Sequence, residues 1–274
     1  MTGEVKIVSE LLFVSHGMDV SKFDDSFLRK SLNKRMSALE IDSFGDYCLN
    51  IQTNKSEADA FFDSLNINFS EFFRNPITFA YLEQIIFPAL IEKKRQNKQK
   101  EIRIWSAACA AGQEALSMAI IFDEILEASR ENISCRIFAT DINKEELENA
   151  RKGVFMSSCL SKTTLRRIHS YFTQKGDNYT ISPKLYQYLE FSVFDLLTDK
   201  GSCPPTSIYG NFDLVFCSNL LFYYKPEYRR VILEKAGYCL APGGYLITGD
   251  SEREILKDHN YKEVFLNSGI FRKP

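Results

Sequence analysis

Apolar positions divide the chain into two regimes. Up to about Ser70 they recur at helical spacing. Phe27, Leu28, Leu32 and Met36 form one set, Tyr47, Leu49 and Ile51 a second, and Phe61, Phe62 and Leu65 close the stretch. In FFRNPITFAYLEQIIFPAL the pair Asn75-Pro76 marks a helix start, because proline fits the first helical position, where no N–H is needed. From residue 101 the pattern changes to short runs rich in β-formers: IRIW (102–105), CRIFATD (135–141), LEFSVF (189–194), DLVFCSN (213–219) and YLITGD (245–250). Helical stretches at 114–129, 144–151 and 226–240 lie between most of them. Strands alternating with helices predict a parallel sheet covered on both faces. YKEVF and GIFRK near the end predict two last strands on an antiparallel edge. The interval 154–188 is longer than one crossover needs. A helix at Thr163–Arg167 and a hairpin around Lys175-Gly176-Asp177-Asn178 read as a small insertion. The predicted organisation is a helical domain at 1–70, a linking helix at 71–100 and an α/β domain at 101–274.

Composition narrows the function classes. Lys+Arg is 34 and Asp+Glu 36, a net charge of −2. Non-specific nucleic-acid binding needs a large positive field, so no nucleic-acid partner is expected. The run Lys93–Lys100 reads as a solvated helix end and loop. No apolar run approaches the roughly 20 residues that span a bilayer, and the charged start carries no signal core. A cytoplasmic protein, monomeric and without membrane insertion, is expected. None of the 7 cysteines lies at CxxC or CxxxxC spacing, and the 3 histidines are far apart. That suits scattered free thiols in a reducing compartment and no metal centre.

Candidate chemistry sits at predicted strand ends, where ligands bind in open α/β sheets. The first strand runs into SAACAAGQE (106–114), a small-residue loop that lets backbone approach a ligand and leads into a helix N-terminus. It has neither the G-x-G-x-x-G of a dinucleotide site nor a P-loop lysine. The second strand ends in Asp141, which is either an acceptor for ribose hydroxyls or the cap of the next helix. Ala241-Pro242-Gly243-Gly244 reads as a tight turn before the fifth strand.

Together these elements resemble the Rossmann-like S-adenosylmethionine-dependent methyltransferases. SLNINFSEFFRNP (64–76), RIWSAACAAGQEALSMAI, IFATDINKEELENARKGVF, FDLVFCSNLLFYY and the ending LAPGGYLITGDSE are similar to successive signatures of the CheR-type chemotaxis methyltransferases. That family esterifies glutamate side chains of chemoreceptors. The resemblance implies a Rossmann-like methyltransferase sheet with an all-helical N-terminal domain and a small β-hairpin insertion, which in some members binds a receptor peptide by strand addition. It implies S-adenosyl-L-methionine as cofactor, S-adenosyl-L-homocysteine as product and the cytoplasmic domain of a chemoreceptor as partner.

By the same resemblance Asn68, Ser70, Arg74, Glu114, Asp141, Asp195, Leu196, Ser218 and Asn219 stand at cofactor-contacting positions, and Arg74 and Tyr223 at catalytic ones. Arg74 has a second reading as a cap or ion-pair partner, and Tyr223 as a packed aromatic between Phe222 and Tyr224. Arg29, Lys30, Lys34 and Arg35 lie a turn apart in pairs, and the resemblance makes them a docking face for an acidic helical bundle. Gln113 replaces a usual Glu, Leu116 a usual Tyr and Ser218 a usual Arg. These departures keep a second function open, a cofactor-binding regulatory or scaffold module with little turnover. A carboxylate nucleophile is already ionised at neutral pH, so no general base is needed. Alignment supplies the rate, and a flat pH profile from about 6 to 8 is expected.

Overall fold

A computed structural model describes residues 3–65, 70–129, 133–257, 259 and 261–272. The chain forms two compact units, Met1–Ile67 with Phe222–Arg229, and Asn68–Leu221 with Arg230–Pro274.

The first unit is helical: α1 (Gly3–His16), α2 (Asp25–Ala38), α3 (Phe44–Thr53) and α4 (Lys55–Ser64). Side-chain caps fix three of the starts. Asp24 accepts from the Ser26 N–H, Ser43 from Asp46 and Asn54 from Glu57, each satisfying an otherwise orphaned donor. Val8, Leu12, Phe27, Leu28, Leu32, Tyr47, Ile51 and Phe61 are among the residues that form its core. Leu49 departs from expectation. It is 63% exposed, because a spacing of two residues on a helix turns a side chain away from the face of Tyr47 and Ile51.

The second unit begins with α5 (Pro76–Tyr81), one π-helical stretch (Leu82–Ile86) and α6 (Phe87–Gln96). There follow β1 (Glu101–Ala107), α7 (Gln113–Ser129), β2 (Ser134–Asp141) and α8 (Lys144–Lys152). Next come β3 (Val154–Met156), α9 (Leu165–Tyr171), β4 (Phe172–Lys175), β5 (Asn178–Ile181) and β6 (Leu189–Val193). The last elements are β7 (Phe212–Phe216), α10 (Pro226–Cys239), β8 (Leu240–Ile247), α11 (Arg253–Lys257), β9 (Lys262–Glu263) and β10 (Ile270–Arg272). The first turn of α10 belongs to the helical unit.

The main sheet has the order β6-β2-β1-β7-β8-β10-β9. Its first five strands are parallel, and β10 and β9 are antiparallel. Strand order reverses between β1 and β7, which opens a crevice at the carboxyl ends. The insertion holds β3 as well as the expected hairpin, in the order β3-β5-β4. The expected turn at Ala241–Gly244 lies inside β8, where the pairing with β7 shifts register between Phe212 and Leu214. A Cβ on Gly244 would come within 3.0 Å of the Phe212 carbonyl oxygen, so the glycine permits close backbone approach at this bulge.

Two further expectations are corrected. Lys94, in the run read as solvated, is buried against buried Asp213 at 2.8 Å. Asp213 also accepts from the Arg103 N–H, so the pair ties the end of α6 under the sheet. The cysteines are not all free, since Cys203 and Cys239 form a disulfide with Cα atoms 6.0 Å apart. Spacing rules miss it because 36 residues separate the two, and the Phe212–Leu240 pairing brings their segments together. Among the described residues no helix is long and apolar enough to cross a membrane.

Candidate functional site at the carboxyl ends of the parallel strands

β1 delivers the chain into a loop with unusual backbone. Ala108 and Ala110 both have positive φ, at 58° and 47°, a region non-glycine residues enter at a cost. Gly112 has φ 84° and no room for a side chain, since a Cβ would lie 3.0 Å from that of Ala150. The loop is held from β2: the Cys109 N–H donates to the Thr140 carbonyl at 2.9 Å, and the Ala110 N–H to Asp141 Oδ2 at 2.8 Å. Asp141 Oδ1 accepts from Asn143 at 2.9 Å. The cap of α8 is Asn143, which accepts from Glu145 and Glu146. Asp141 is therefore not the helix cap, and its carboxylate ties the β1 loop to the β2 end. Burial pushes its pKa up, against the backbone donors that lower it.

Glu114 stands in the first turn of α7 and accepts from the Ser106 hydroxyl at 2.6 Å. Burial pushes its carboxyl up to about 8; the Ser106 hydrogen bond and the Arg74 charge oppose this, and the Glu252 charge adds to it. Arg74 is thus electrostatically coupled to Glu114. It follows Phe73, which has φ 55°, and precedes the start of α5. Beside them the Gln113 Oε1 is buried without a hydrogen-bond partner within the protein.

The β7 end carries Ser218 and Asn219, both half-buried. Asn219 has φ 61°. Its backbone is fixed by Glu252, a fully buried carboxylate that the sequence reading did not single out. Glu252 accepts from the N–H groups of Asn219 (2.7 Å), Leu220 (2.6 Å), Leu221 (2.6 Å) and Gly249 (2.9 Å) and from the Thr248 hydroxyl (2.8 Å). A Cβ on Gly249 would lie 2.5 Å from Asn219 Nδ2. The signal for Glu252 was an acidic residue just past an apolar strand, but its partners Asn219, Leu220 and Leu221 are 31–33 residues away in sequence. After β6, Asp195 closes a local turn, accepting from the Leu197 N–H at 2.7 Å and the Thr198 hydroxyl at 2.6 Å, and Leu196 is buried.

The family model for the SAM-binding domain of CheR methyltransferases matches residues 68–270, and that for their all-alpha domain matches residues 4–65. The chain belongs to the CheR methyltransferase family. A chemotaxis protein methyltransferase of Pseudomonas aeruginosa is 33% identical over 87% of this chain and 86% of its own length. One from Listeria monocytogenes is 29% identical over 94% of this chain and 92% of its own. An uncharacterized 104.1 kDa protein of Rhodobacter capsulatus is 28% identical over 89% of this chain, which spans 25% of that protein.

The cofactor of a CheR methyltransferase domain is S-adenosylmethionine, and the residues present fit it. Asp141 offers carboxylate lone pairs beyond its backbone donors Ala110, Ile142 and Asn143, as a ribose diol requires. The left-handed β1 loop presents backbone, Arg74 supplies a positive charge, and Glu114, its carboxyl pushed up to about 8 by burial, supplies a hydrogen-bonding group. The structure brings Arg74, Glu114, Asp141, Asp195, Leu196, Ser218 and Asn219 into one unit. Ser70 is half-buried in that unit, and Asn68 lies outside the described residues.

The remaining sites of this CheR protein lie in the helical unit. Tyr223 packs there, its ring 4.8 Å from that of Phe27 and 4.1 Å from Phe222, and its carbonyl accepts from the Asp24 N–H at 2.8 Å. On α2, Lys30 and Lys34 are exposed, and Arg29 lies 3.9 Å from Glu4. Arg35 turns inward instead. It pairs with buried Glu57, which also accepts from the Tyr47 hydroxyl at 2.9 Å. Its guanidinium is committed to the core, so Arg35 drops out of the expected docking face.

Proposed function

We propose that this methyltransferase esterifies glutamate side chains on the cytoplasmic part of chemoreceptors, forming glutamyl methyl esters. The observation that carries the reading is the placement of Arg74 between left-handed Phe73 and the start of α5, where its charge acts on the half-buried carboxyl of Glu114 at the head of α7. A guanidinium there can grip a carboxylate with two parallel bonds. Relatives named chemotaxis protein methyltransferases support the receptor as target.

When bound, S-adenosylmethionine supplies a methyl group already activated on a sulfonium. The work left to the protein is alignment. Asp141 accepts the ribose hydroxyls, and Asn219, fixed by Glu252, sets the wall of the crevice. Arg74 orients a carboxylate, and by the family resemblance the Tyr223 hydroxyl also serves the chemistry. The substrate glutamate is ionised at neutral pH, so no residue has to take its proton.

The test uses the full chain, methyl-labelled cofactor and receptor cytoplasmic fragments from the same genome. The expected result is label that mild base releases as methanol, and its loss when the methylated glutamates are changed to glutamine. Tight binding of S-adenosylhomocysteine with no transfer to any of those receptors overturns the reading in favour of a regulatory module without turnover.

A further inference from the structure

We propose that Ser117 is a positioning residue that aims Arg74 by holding the left-handed backbone of Phe73. The inference rests on the reading of Arg74 given above.

A serine inside a helix ordinarily bonds back to the carbonyl four residues earlier. Ser117 does so, donating to the Gln113 carbonyl at 2.7 Å. Its oxygen then remains free to accept, and it takes the Phe73 N–H at 3.0 Å. The hydroxyl is fully buried. Phe73 has φ 55°, a conformation that a bulky residue keeps only when its surroundings over-determine it, and such outliers cluster at functional sites. Here the surroundings do so on several sides. The Phe73 ring lies 5.2 Å from Phe79. The Arg167 guanidinium, paired with Glu83 and Glu124, stands 4.6 Å from the Phe73 ring centre. One residue earlier, the Phe72 N–H donates to the Cys159 carbonyl at 2.9 Å, and its ring sits between Phe155 and Phe172.

The consequence falls on Arg74. Its direction of departure is set between a left-handed residue and the Asn75-Pro76 helix start. Ser117 lies one turn beyond Glu114 on α7, so one helix carries both the carboxyl and the hydroxyl that aims the guanidinium toward it. A role in packing alone would need the bond to Phe73 but not its effect on the charge at Arg74.

The test reads that charge. Burial sets most of the Glu114 titration, and the Ser106 hydroxyl and then the charges of Glu252 and Arg74 adjust it. S117A keeps a good helix former and removes the acceptor. If Arg74 is released, Glu114 titrates higher by about half a pH unit or more, a fraction of the 1–3 units a close opposite charge is worth. Carboxyl NMR of the cofactor-free protein reads this, and turnover on receptor should drop about tenfold. In an R74A background S117A should add no further shift. S117C, with a weaker acceptor at nearly the same volume, should shift Glu114 in the same direction and covers the case in which S117A does not fold. If R74A moves both Glu114 and turnover while the Ser117 variants move neither, the positioning role of Ser117 fails alone. If R74A itself moves neither, the reading of Arg74 fails first.

Discussion

The two units place their functional polar groups in opposite physical settings. In the sheet unit they are withdrawn from water. Glu114, Asp141 and Glu252 all have carboxyls pushed up by burial, and Phe73, Ala108, Ala110 and Asn219 hold left-handed backbone. In the helical unit the candidate groups Lys30 and Lys34 are exposed on a capped, unstrained helix. Its buried polar cluster, Arg35, Glu57 and Tyr47, is satisfied internally. Desolvation and strain are what preorganised binding and alignment require. Exposed charge serves encounter, which acts at range and is screened by salt. The difference predicts that lesions in the first setting are large and insensitive to salt, and in the second small and sensitive to it.

The largest expected effect is D141A. A carboxylate accepting two ribose hydroxyls makes charge-assisted bonds of about 1.5–3 kcal/mol each, so affinity for S-adenosylhomocysteine should fall roughly 100-fold or more. Part of the loss comes from Ala110, whose N–H loses its acceptor. Titration calorimetry at low and high salt should give the same loss. An unchanged affinity removes Asp141 from the site, and a loss that vanishes in salt breaks the contrast between the units.

A pH test comes next. Glu114 titrates near 8 in the folded chain against 4.5 for an ordinary glutamate. Between these values the folded state keeps a proton that the unfolded state has released. Stability therefore falls as pH rises from about 4.5 toward 8 and levels above it. In E114Q that contribution disappears, so the variant should gain in melting temperature relative to the parent across this window. Parallel melting profiles for the two proteins would show that Glu114 is solvated. With a carboxyl titrating near 8 that feels the Arg74 charge, the flat activity profile expected from the sequence no longer follows.

What the sequence displayed was local. Each apolar run from 102 to 250 became a strand of the main sheet, and Asn75-Pro76 began a helix, because periodicity and helix-start chemistry act over a few residues. The family signatures pointed to Arg74, Glu114 and Asp141 for the same reason. What stayed hidden was long-range polar pairing. Glu252 reaches Asn219, Ser117 reaches Phe73, Lys94 reaches Asp213 and Cys203 reaches Cys239. Only the sheet topology decides such partners, and no spacing along the chain encodes them. Arg35 and Lys30 look equivalent on a helical wheel. Only the position of Glu57 on α4 sends the former inward.

Y223F sharpens the comparison because Tyr223 lies in the helical unit yet is assigned to chemistry. Removing its hydroxyl should cost on the order of 0.5–1.5 kcal/mol, up to about tenfold in kcat. Cofactor affinity should stay unchanged and salt should not alter the defect. A salt-dependent defect in KM instead would move Tyr223 into the encounter surface. No defect would leave it as a packed aromatic against Phe27.

The smallest effect should come from K30E/K34E. Both side chains are exposed on α2, so reversing them changes the field an acidic receptor meets without disturbing the core. Association slows when such a field is reversed, and methylation of an intact receptor should fall several-fold at low ionic strength. Screening shortens the reach of charge from about 10 Å at 0.1 M salt to about 3 Å at 1 M, so the defect should shrink steadily as salt is added. Cofactor affinity and melting temperature should not move. The control is R35A on the same helix. It leaves Glu57, which is 4% exposed, as a buried carboxylate without its ion partner, a lesion that destabilises a fold rather than slowing an encounter. R35A should lower the melting temperature and leave the salt dependence of methylation as in the parent. If R35A instead reproduces K30E/K34E, Arg35 belongs to the docking face. If K30E/K34E is indifferent to salt, α2 is a structural face, and the receptor is met elsewhere.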